Sequence, residues 1–231
     1  MAIINIETAT TVCSVAVSDN GKVIIDKVSY DGPSHASLLG VFVEDVVKES
    51  RSLGLKIDAV AVSSGPGSYT GLRIGVSMAK GLCFGYNVPL LSIPTLDILA
   101  YKAIKQIAPE DAIFCAMLDA RRMEVYSAIY NCTLDQIRDT EAEIITEDTY
   151  VHLLDKQTVC FFGSGAGKCK NLIKSQNAVF IDDLHPLASD MIILSDKAYL
   201  ERRYENVAYF EPFYLKDFVA TVSKNKLFPE M

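Results

Sequence analysis

Short apolar runs separated by polar turns form the pattern of the chain, and the first three runs are strand-like. Ala2 to Ile6 ends in the polar pair Glu7-Thr8, and Val12 to Val17 follows after a short turn. Asp19-Asn20-Gly21 is a strong hairpin signal, and Val23 to Ser29 comes directly after it. The pattern predicts a three-stranded antiparallel meander at the start of the chain.

Helical spacing replaces this pattern after residue 33. Apolar residues stand at positions 38, 39, 42, 43, 46 and 47, and this spacing predicts a helix from Ser34 to Ser50. Ser34 can cap the start of this helix. The next elements are predicted as a strand, a helix, a strand and a helix: Ile57 to Val62, Gly71 to Gly85, Leu90 to Ile93, and Thr95 to about Ala108.

The second half of the chain repeats this series more loosely. Ala112 to Leu118 is an apolar run that ends in Asp119, as the first strand ends in Glu7. A turn and a strand from Glu124 to Tyr130 follow, and a later run, Thr158 to Phe162, leads into a second Gly-rich loop. The two halves therefore share a strand ending in an acid, a turn, an antiparallel strand, and a strand followed by a Gly-rich loop.

Two similar halves with acids at facing strand ends predict two lobes and a cleft between them. This is the logic of the actin and Hsp70-like superfamily, an α/β fold of two RNase H-like lobes whose hairpin turns grip nucleotide phosphates. The lobes are predicted over residues 1–103 and 104–187, with a tail over 205–231. A final amphipathic helix, Ala188 to Tyr204, is expected to pack back on the first lobe.

Composition excludes several classes of function. Lys plus Arg is 22 and Asp plus Glu is 29, a net charge of −7, so the chain by itself is a poor nucleic-acid binder. Six cysteines form no CxxC pair and lie mostly in apolar runs, which indicates free thiols and a reducing cytoplasm. The sequence shows no signal peptide and no apolar run long enough for a membrane.

A Gly-rich loop joins the fourth strand to the second helix: Ser63-Ser64-Gly65-Pro66-Gly67-Ser68-Tyr69-Thr70-Gly71-Leu72-Arg73-Ile74-Gly75. It fits neither the P-loop, which needs Lys after its last Gly, nor the spacing of the dinucleotide motif. Ser68 or Thr70 can cap the helix. The loop is either an anion site at a helix start or a tight turn.

Small residues recur every fourth position along the helix after this loop. Gly71, Gly75 and Ala79 form one stripe, and Ser77, Gly81 and Gly85 form another. Such stripes let a second helix approach closely. The helix is therefore either buried within its own lobe or also meets a partner subunit.

Three motifs resemble the bacterial TsaB (YeaZ) family: Ile4-Asn5-Ile6-Glu7-Thr8-Ala9-Thr10, Gly65 to Gly75, and Leu118-Asp119-Ala120-Arg121-Arg122-Met123-Glu124-Val125-Tyr126. Val159 to Gly167 and Glu211 to Lys216 also fit. The resemblance implies an actin-like fold and a role in making threonylcarbamoyladenosine in tRNAs that read codons beginning with A. It implies a non-catalytic partner of a TsaD-like transferase, joined by a TsaE-like ATPase, with tRNA contacted only indirectly.

Two departures from the family pattern bear on chemistry. The family usually has Asp where this chain has Glu7. Catalytic paralogues carry an HxxxH pair on the helix that corresponds to residues 34–50, and here His35 is followed four residues later by Leu39. One His cannot replace two ligands on a helix face. No metal site and no catalytic residue is expected.

A weak nucleotide site and a partner interface are the candidate sites. The residues predicted to contact a nucleotide in the cleft are Glu7, Thr8, Asp119, Gly163 and Gly165. No cofactor is expected to bind tightly, and ATP with magnesium is expected to bind only in the complex. The helices predicted over residues 34–50 and 71–85 are expected to form one exposed apolar surface that binds the TsaD-like subunit. When the chain is alone, this surface is expected to be covered in a two-fold homodimer. Its predicted members are Leu38, Phe42, Val46, Gly71, Ile74, Gly75, Met78, Ala79 and Leu82.

Two other functions remain open at this stage. The superfamily contains ATP-dependent phosphotransferases, and Glu7, Thr8, Asp119 and the two Gly-rich loops would serve such an enzyme or a weak ATPase acting alone. A glycoprotease activity is less favoured because the sequence has neither a zinc motif nor an arguable Ser/His/Asp or Cys/His arrangement.

Overall fold

The computed structural model describes residues 1–32, 35–107 and 111–215. The first lobe contains strands β1 Ala2–Glu7, β2 Cys13–Asp19, β3 Lys22–Ser29, β4 Ile57–Gly65 and β5 Leu90–Pro94, with helices α1 His35–Ser52, α2 Tyr69–Tyr86 and α3 Thr95–Ile107. The second lobe contains β6 Ile113–Asp119, β7 Glu124–Tyr130, β8 Gln136–Ile144, β9 Val159–Phe162 and β10 Ala178–Ile181, with the short helices α4 Val151–Leu154 and α5 Ala166–Cys169. A 3₁₀ turn, Ala188–Met191, and helix α6 Ile192–Leu200 follow.

The two sheets have the same topology. In the first sheet the strand order is β3-β2-β1-β4-β5. In the second sheet the order is β8-β7-β6-β9-β10, so that β6 to β10 take the places of β1 to β5. In each, the first three strands are antiparallel and the last two are parallel to the first. The structure thus confirms the duplication, and it places Glu7 and Asp119 at equivalent strand ends.

Helices cover the sheets in layers. Helices α1 and α2 pack on one face of the first sheet, where Ile4, Ile6 and Val62 form its core. Helix α3 lies between the sheets: Leu99 packs against the second sheet and Ile98 against the first. Met191 of the 3₁₀ turn and Ala198 of α6 also pack on that inner face of the first sheet. Among the described residues, no helix has the length and apolar character that crossing a membrane requires.

Some predicted elements change in the structure. The final helix is shorter than Ala188 to Tyr204, because its start is a 3₁₀ turn and it ends near Arg202, whose backbone is left-handed. Strands β8 and β10 were not expected from the sequence, and both lie at edges of the second sheet. Residues 34, 108 and 216–231, which include the expected cap Ser34, lie outside the described residues.

The first small-residue stripe of α2 faces the interior of its own lobe. Gly71 and Gly75 are buried against the turn after β1, and the Thr8 hydroxyl donates to the Gly71 carbonyl oxygen at 2.8 Å. A Cβ atom on Gly71 would overlap the Thr8 carbonyl oxygen, and one on Gly75 would overlap the Thr8 hydroxyl. Of the two possible caps, Ser68 is used: its side chain accepts from the Gly71 N–H. The Gly-rich loop thus lets the start of α2 pack directly on this turn.

Substituting alanine at one glycine of each stripe is expected to have opposite effects on stability. Gly71→Ala places a methyl group against main chain and should lower the free energy of unfolding by about 1 to 3 kcal/mol. Gly81→Ala meets no group within 4 Å and should raise it by roughly 0.5 to 1 kcal/mol through helix propensity. Urea denaturation of both variants measures the difference, and equal effects would contradict the assigned orientation of the helix.

All six cysteines are free thiols in the structure, and five of them are buried. Burial raises the pKa of the Cys13 and Cys83 thiols to about 11 and that of Cys115 to about 12. We expect one thiol, Cys132, to react rapidly with a disulfide reagent in the native protein, and six in denaturant. Cys132→Ser should remove the rapid phase, and a native disulfide found by mass spectrometry under thiol-blocking conditions would contradict the prediction.

Candidate functional site: a polar cleft and an apolar groove

A cleft of about 830 Å³ lies where the turns after β1 and β6 face each other. The first lobe contributes Thr10 and Thr11, and the second contributes Asp119, Arg121 and Ser164. The chain beyond α6 closes one side of the cleft with Phe213, Tyr214 and Leu215. The predicted cleft between the lobes is therefore present, and polar side chains from both lobes line it.

Glu7 and Thr8 do not line this cleft. The Glu7 side chain is fully buried beneath the turn, where its Oε1 accepts from the Ala9 N–H at 2.5 Å and its Oε2 has no hydrogen-bond partner in the part of the chain that the structure describes. Burial raises the pKa of the Glu7 carboxyl from 4.5 to about 8, so the group is mostly protonated at neutral pH. Because Glu7 is buried beneath the turn and the Thr8 hydroxyl is bound to the Gly71 carbonyl oxygen, both side chains are held within the lobe, and their contact with a nucleotide stays a prediction.

The equivalent acid of the second lobe, Asp119, is exposed and forms an ion pair with Lys168. The Asp119 carboxylate accepts from the Lys168 ammonium at 2.5 Å and from the Arg121 N–H at 2.9 Å. Gly163 and Gly165 pack against the main chain of Met117 and Leu118, where a Cβ atom has no room. Their observed role is close packing of the loop behind β6, and nucleotide contact at these glycines stays a prediction.

His35 connects α1 to the same turn. Its Nε2 donates to the Thr10 carbonyl oxygen at 2.7 Å, and its buried Nδ1 has no hydrogen-bond partner among the described residues. One helical turn later, the Leu39 side chain is packed in the core of the first lobe. The position that would hold a second metal-binding His is thus an apolar core position.

An apolar groove of about 730 Å³ runs along the exposed side of α2 next to the start of α1. Ile74, Met78 and Leu82 line it on α2, beside the small residues Ser77 and Gly81. Tyr69 closes one end of the groove, with the Tyr214 ring 4.9 Å away and the Arg73 guanidinium over its face. The second small-residue stripe therefore faces outward, and it forms the floor of this groove.

The structure separates the predicted interface residues into two groups. Leu38, Phe42, Ile74, Met78 and Leu82 are partly exposed and available to a partner. Val46, Gly71, Gly75 and Ala79 are buried within the lobe, and a contact of these four residues with a partner stays a prediction. Two further exposed apolar residues were not predicted as interface members from the sequence: Phe84, which is 88% exposed on the outward side of α2, and Val41 on the outward side of α1.

Comparison with known proteins agrees with these observations. A family model described as TsaD, tRNA N6-adenosine threonylcarbamoyltransferase, matches residues 32–224. The tRNA threonylcarbamoyladenosine biosynthesis protein TsaB of Escherichia coli (strain K12) is 31% identical over 226 residues, which cover 95% of this chain and 96% of that protein. TsaB of Bacillus subtilis (strain 168) is 27% identical over 75% of this chain and 76% of its own.

A solved structure carries the same fold. YeaZ from Pseudomonas aeruginosa is 26% identical and superposes with a TM-score of 0.77 over 93% of this chain and 99% of its own. The two equivalent sheets, the cleft between them and this likeness together define the two-lobed actin-like fold. The chain therefore belongs to the TsaB (YeaZ) family of tRNA threonylcarbamoyladenosine biosynthesis proteins.

Proposed function

We propose that this chain is the non-catalytic partner subunit of a TsaD-like threonylcarbamoyltransferase, and that it is required to form threonylcarbamoyladenosine in tRNAs that read codons beginning with A. The exposed apolar groove of α1 and α2 carries the proposal. Apolar surface of this kind, with a small-residue floor, suits close packing against helices of a second protein. The match of the chain to a TsaD family model supports a partner with a similar lobe.

The state of the two strand-end acids supports a non-catalytic assignment. Burial protonates Glu7, and the Lys168 ammonium neutralises Asp119, so neither carboxylate is held ready for a magnesium ion. The core position of Leu39 removes the second ligand of an HxxxH site. We assign the catalytic groups to the transferase, and we place any binding of ATP with magnesium in the assembled complex.

The other proposed partners are a second copy of this chain, a TsaE-like ATPase and, indirectly, tRNA. When the chain is alone, a two-fold dimer covers the groove with the same helices of a second copy, so homodimer and heterodimer compete. A TsaE-like ATPase joins the heterodimer. Because the chain carries a net charge of −7, we propose that tRNA is held mainly by the transferase, in the cytoplasm.

Reconstitution tests this function. The TsaD-like transferase and TsaE-like ATPase of the same organism are incubated with tRNA, ATP and the threonylcarbamoyl donor, with and without this chain. We expect modified adenosine only when the chain is present, together with a stable one-to-one complex with the transferase by light scattering. Equal modification without the chain would overturn the proposal.

The alternative is an actin-like ATP-dependent phosphotransferase or weak ATPase acting alone, and the cleft between the lobes is the observation that favours it. A phosphate-release assay on the isolated chain with magnesium and ATP separates the two functions. Turnover by the chain alone that Asp119→Asn abolishes would favour the enzyme. No turnover, with full activity in the complex, would favour the partner subunit.

A further inference from the structure

Lys168 makes an unusually complete set of contacts at the second-lobe turn, which joins β6 to β7 and contains Arg121 and Arg122. Its Nζ donates to Asp119 Oδ1 at 2.5 Å, to the Arg122 carbonyl oxygen at 2.8 Å and to the Glu124 carbonyl oxygen at 2.6 Å. An ammonium has three N–H donors, so all three are used on this one turn. The Lys168 side chain is about one-fifth exposed, whereas the Asp119 carboxylate that it pairs with is about half exposed.

These three oxygens surround a position that resembles a cation site. One carboxylate oxygen and two main-chain carbonyl oxygens lie 2.5 to 2.8 Å from the Lys168 nitrogen. Calcium is bound by the same kinds of oxygen at about 2.3 to 2.6 Å. The ammonium therefore occupies a place that a divalent cation could fill with small shifts of the ligands and added waters.

The backbone of this turn gathers the three oxygens around the Lys168 ammonium. Arg121 and Arg122 both have left-handed backbone conformations, with φ of 71° and 49°, which are uncommon for residues other than glycine. The turn directs the Arg122 and Glu124 carbonyl oxygens towards the Asp119 carboxylate, and all three carry negative charge or partial charge. The Arg121 N–H donates to Asp119 and the Ala120 N–H to the Glu124 carbonyl oxygen, and the Lys168 ammonium adds the positive charge that offsets the remaining repulsion among the three oxygens.

We propose that the Lys168 ammonium is a built-in cation of the second lobe. It fills a three-oxygen site at the acid that ends β6 and thereby shapes the turn without a metal ion. It acts as a positioning residue, since it fixes the backbone from which Arg121 reaches the wall of the cleft. An anionic group that enters the cleft at this turn meets the Arg121 side chain. The inference does not depend on the proposed partner role of the chain.

Rescue by calcium tests the proposal on the full-length protein. Lys168→Ala should speed hydrogen exchange of the amides in residues 118–126 about tenfold or more, because the Arg121 N–H bond to Asp119 loosens. Adding millimolar Ca²⁺ should return the exchange to within about twofold of the wild type, because the ion takes the vacated position. The wild type should not respond to Ca²⁺.

Three controls make the result decisive. Lys168→Ala combined with Asp119→Asn should exchange rapidly with or without Ca²⁺. Lys170→Ala removes the neighbouring ion pair with Asp182 and should leave residues 118–126 unchanged. If Lys168→Ala does not fold, as judged by circular dichroism, Lys168→Met fills the space without a charge, and it should loosen the turn with no response to Ca²⁺. Unchanged exchange in the single variants, or faster exchange in Lys168→Ala that Ca²⁺ does not reverse, would overturn the proposal.

Discussion

Gly81→Arg is expected to leave the isolated chain folded and to lower its affinity for the TsaD-like transferase by roughly 100-fold or more. The reason is that an unpaired charge in a close helix contact typically costs several kcal/mol. Gly81 lies on the floor of the groove, and a Cβ atom added there would meet no atom of the described residues within 4 Å. The same substitution should shift the isolated chain from dimer to monomer, because homodimer and heterodimer use one surface. Calorimetric titration and light scattering measure the two effects.

Gly167→Arg is the matched control for this experiment. Gly167 also lies in a helix with open space at its Cβ position, but it belongs to the second lobe. The Gly167→Arg variant should bind the transferase with the same affinity as the wild type. Gly75→Arg and Ala79→Arg are unsuitable, since both positions are buried and an arginine there would disrupt the lobe itself. A folded Gly81→Arg protein that binds at wild-type affinity would place the interface outside the groove.

The duplication and the order of strands and helices in the first lobe could be predicted from the sequence. Hydrophobic runs placed β1, β4 and β6 within a few residues of their observed bounds, because these central strands are buried on both faces. The edge strand β8 was missed because it is mostly polar, and its apolar ends Ile137 and Ile144 are exposed. Edge strands have little buried apolar surface and therefore give a weak sequence signal.

The candidate site was less predictable because it depends on orientation and burial. A four-residue repeat gives two stripes on α2, and only the packing of Thr8 decides that Gly71 and Gly75 face inward. The two strand-end acids look equivalent in sequence, yet one is buried and the other is paired with Lys168, 49 residues away along the chain. Periodicity within one element cannot predict contacts between elements so distant in sequence.

Glu7→Gln is expected to change how the stability of the protein depends on pH. The folded carboxyl has a pKa of about 8, above its ordinary 4.5, chiefly because of burial and in smaller part because of the Asp190 charge. Between these two values the unfolded chain has lost the proton that the folded chain retains, so the free energy of unfolding falls as pH rises. The fall from this group is about 1.4 kcal/mol per pH unit, or roughly 3 to 4 kcal/mol between pH 5 and pH 8.

Glutamine isolates this contribution because its amide keeps the oxygen that accepts from the Ala9 N–H and has no charge to lose. Urea denaturation from pH 5 to pH 8.5 should show the two proteins closer in stability at pH 5, with Glu7→Gln increasingly the more stable of the two as pH rises. Glu147→Gln, which changes an exposed carboxylate, should instead follow the wild type throughout. Parallel pH profiles for wild type and Glu7→Gln would mean that Glu7 is ionised in the folded protein at neutral pH. A charged carboxylate would then stand beneath the cleft turn, and the first-lobe acid would again be available to a cation.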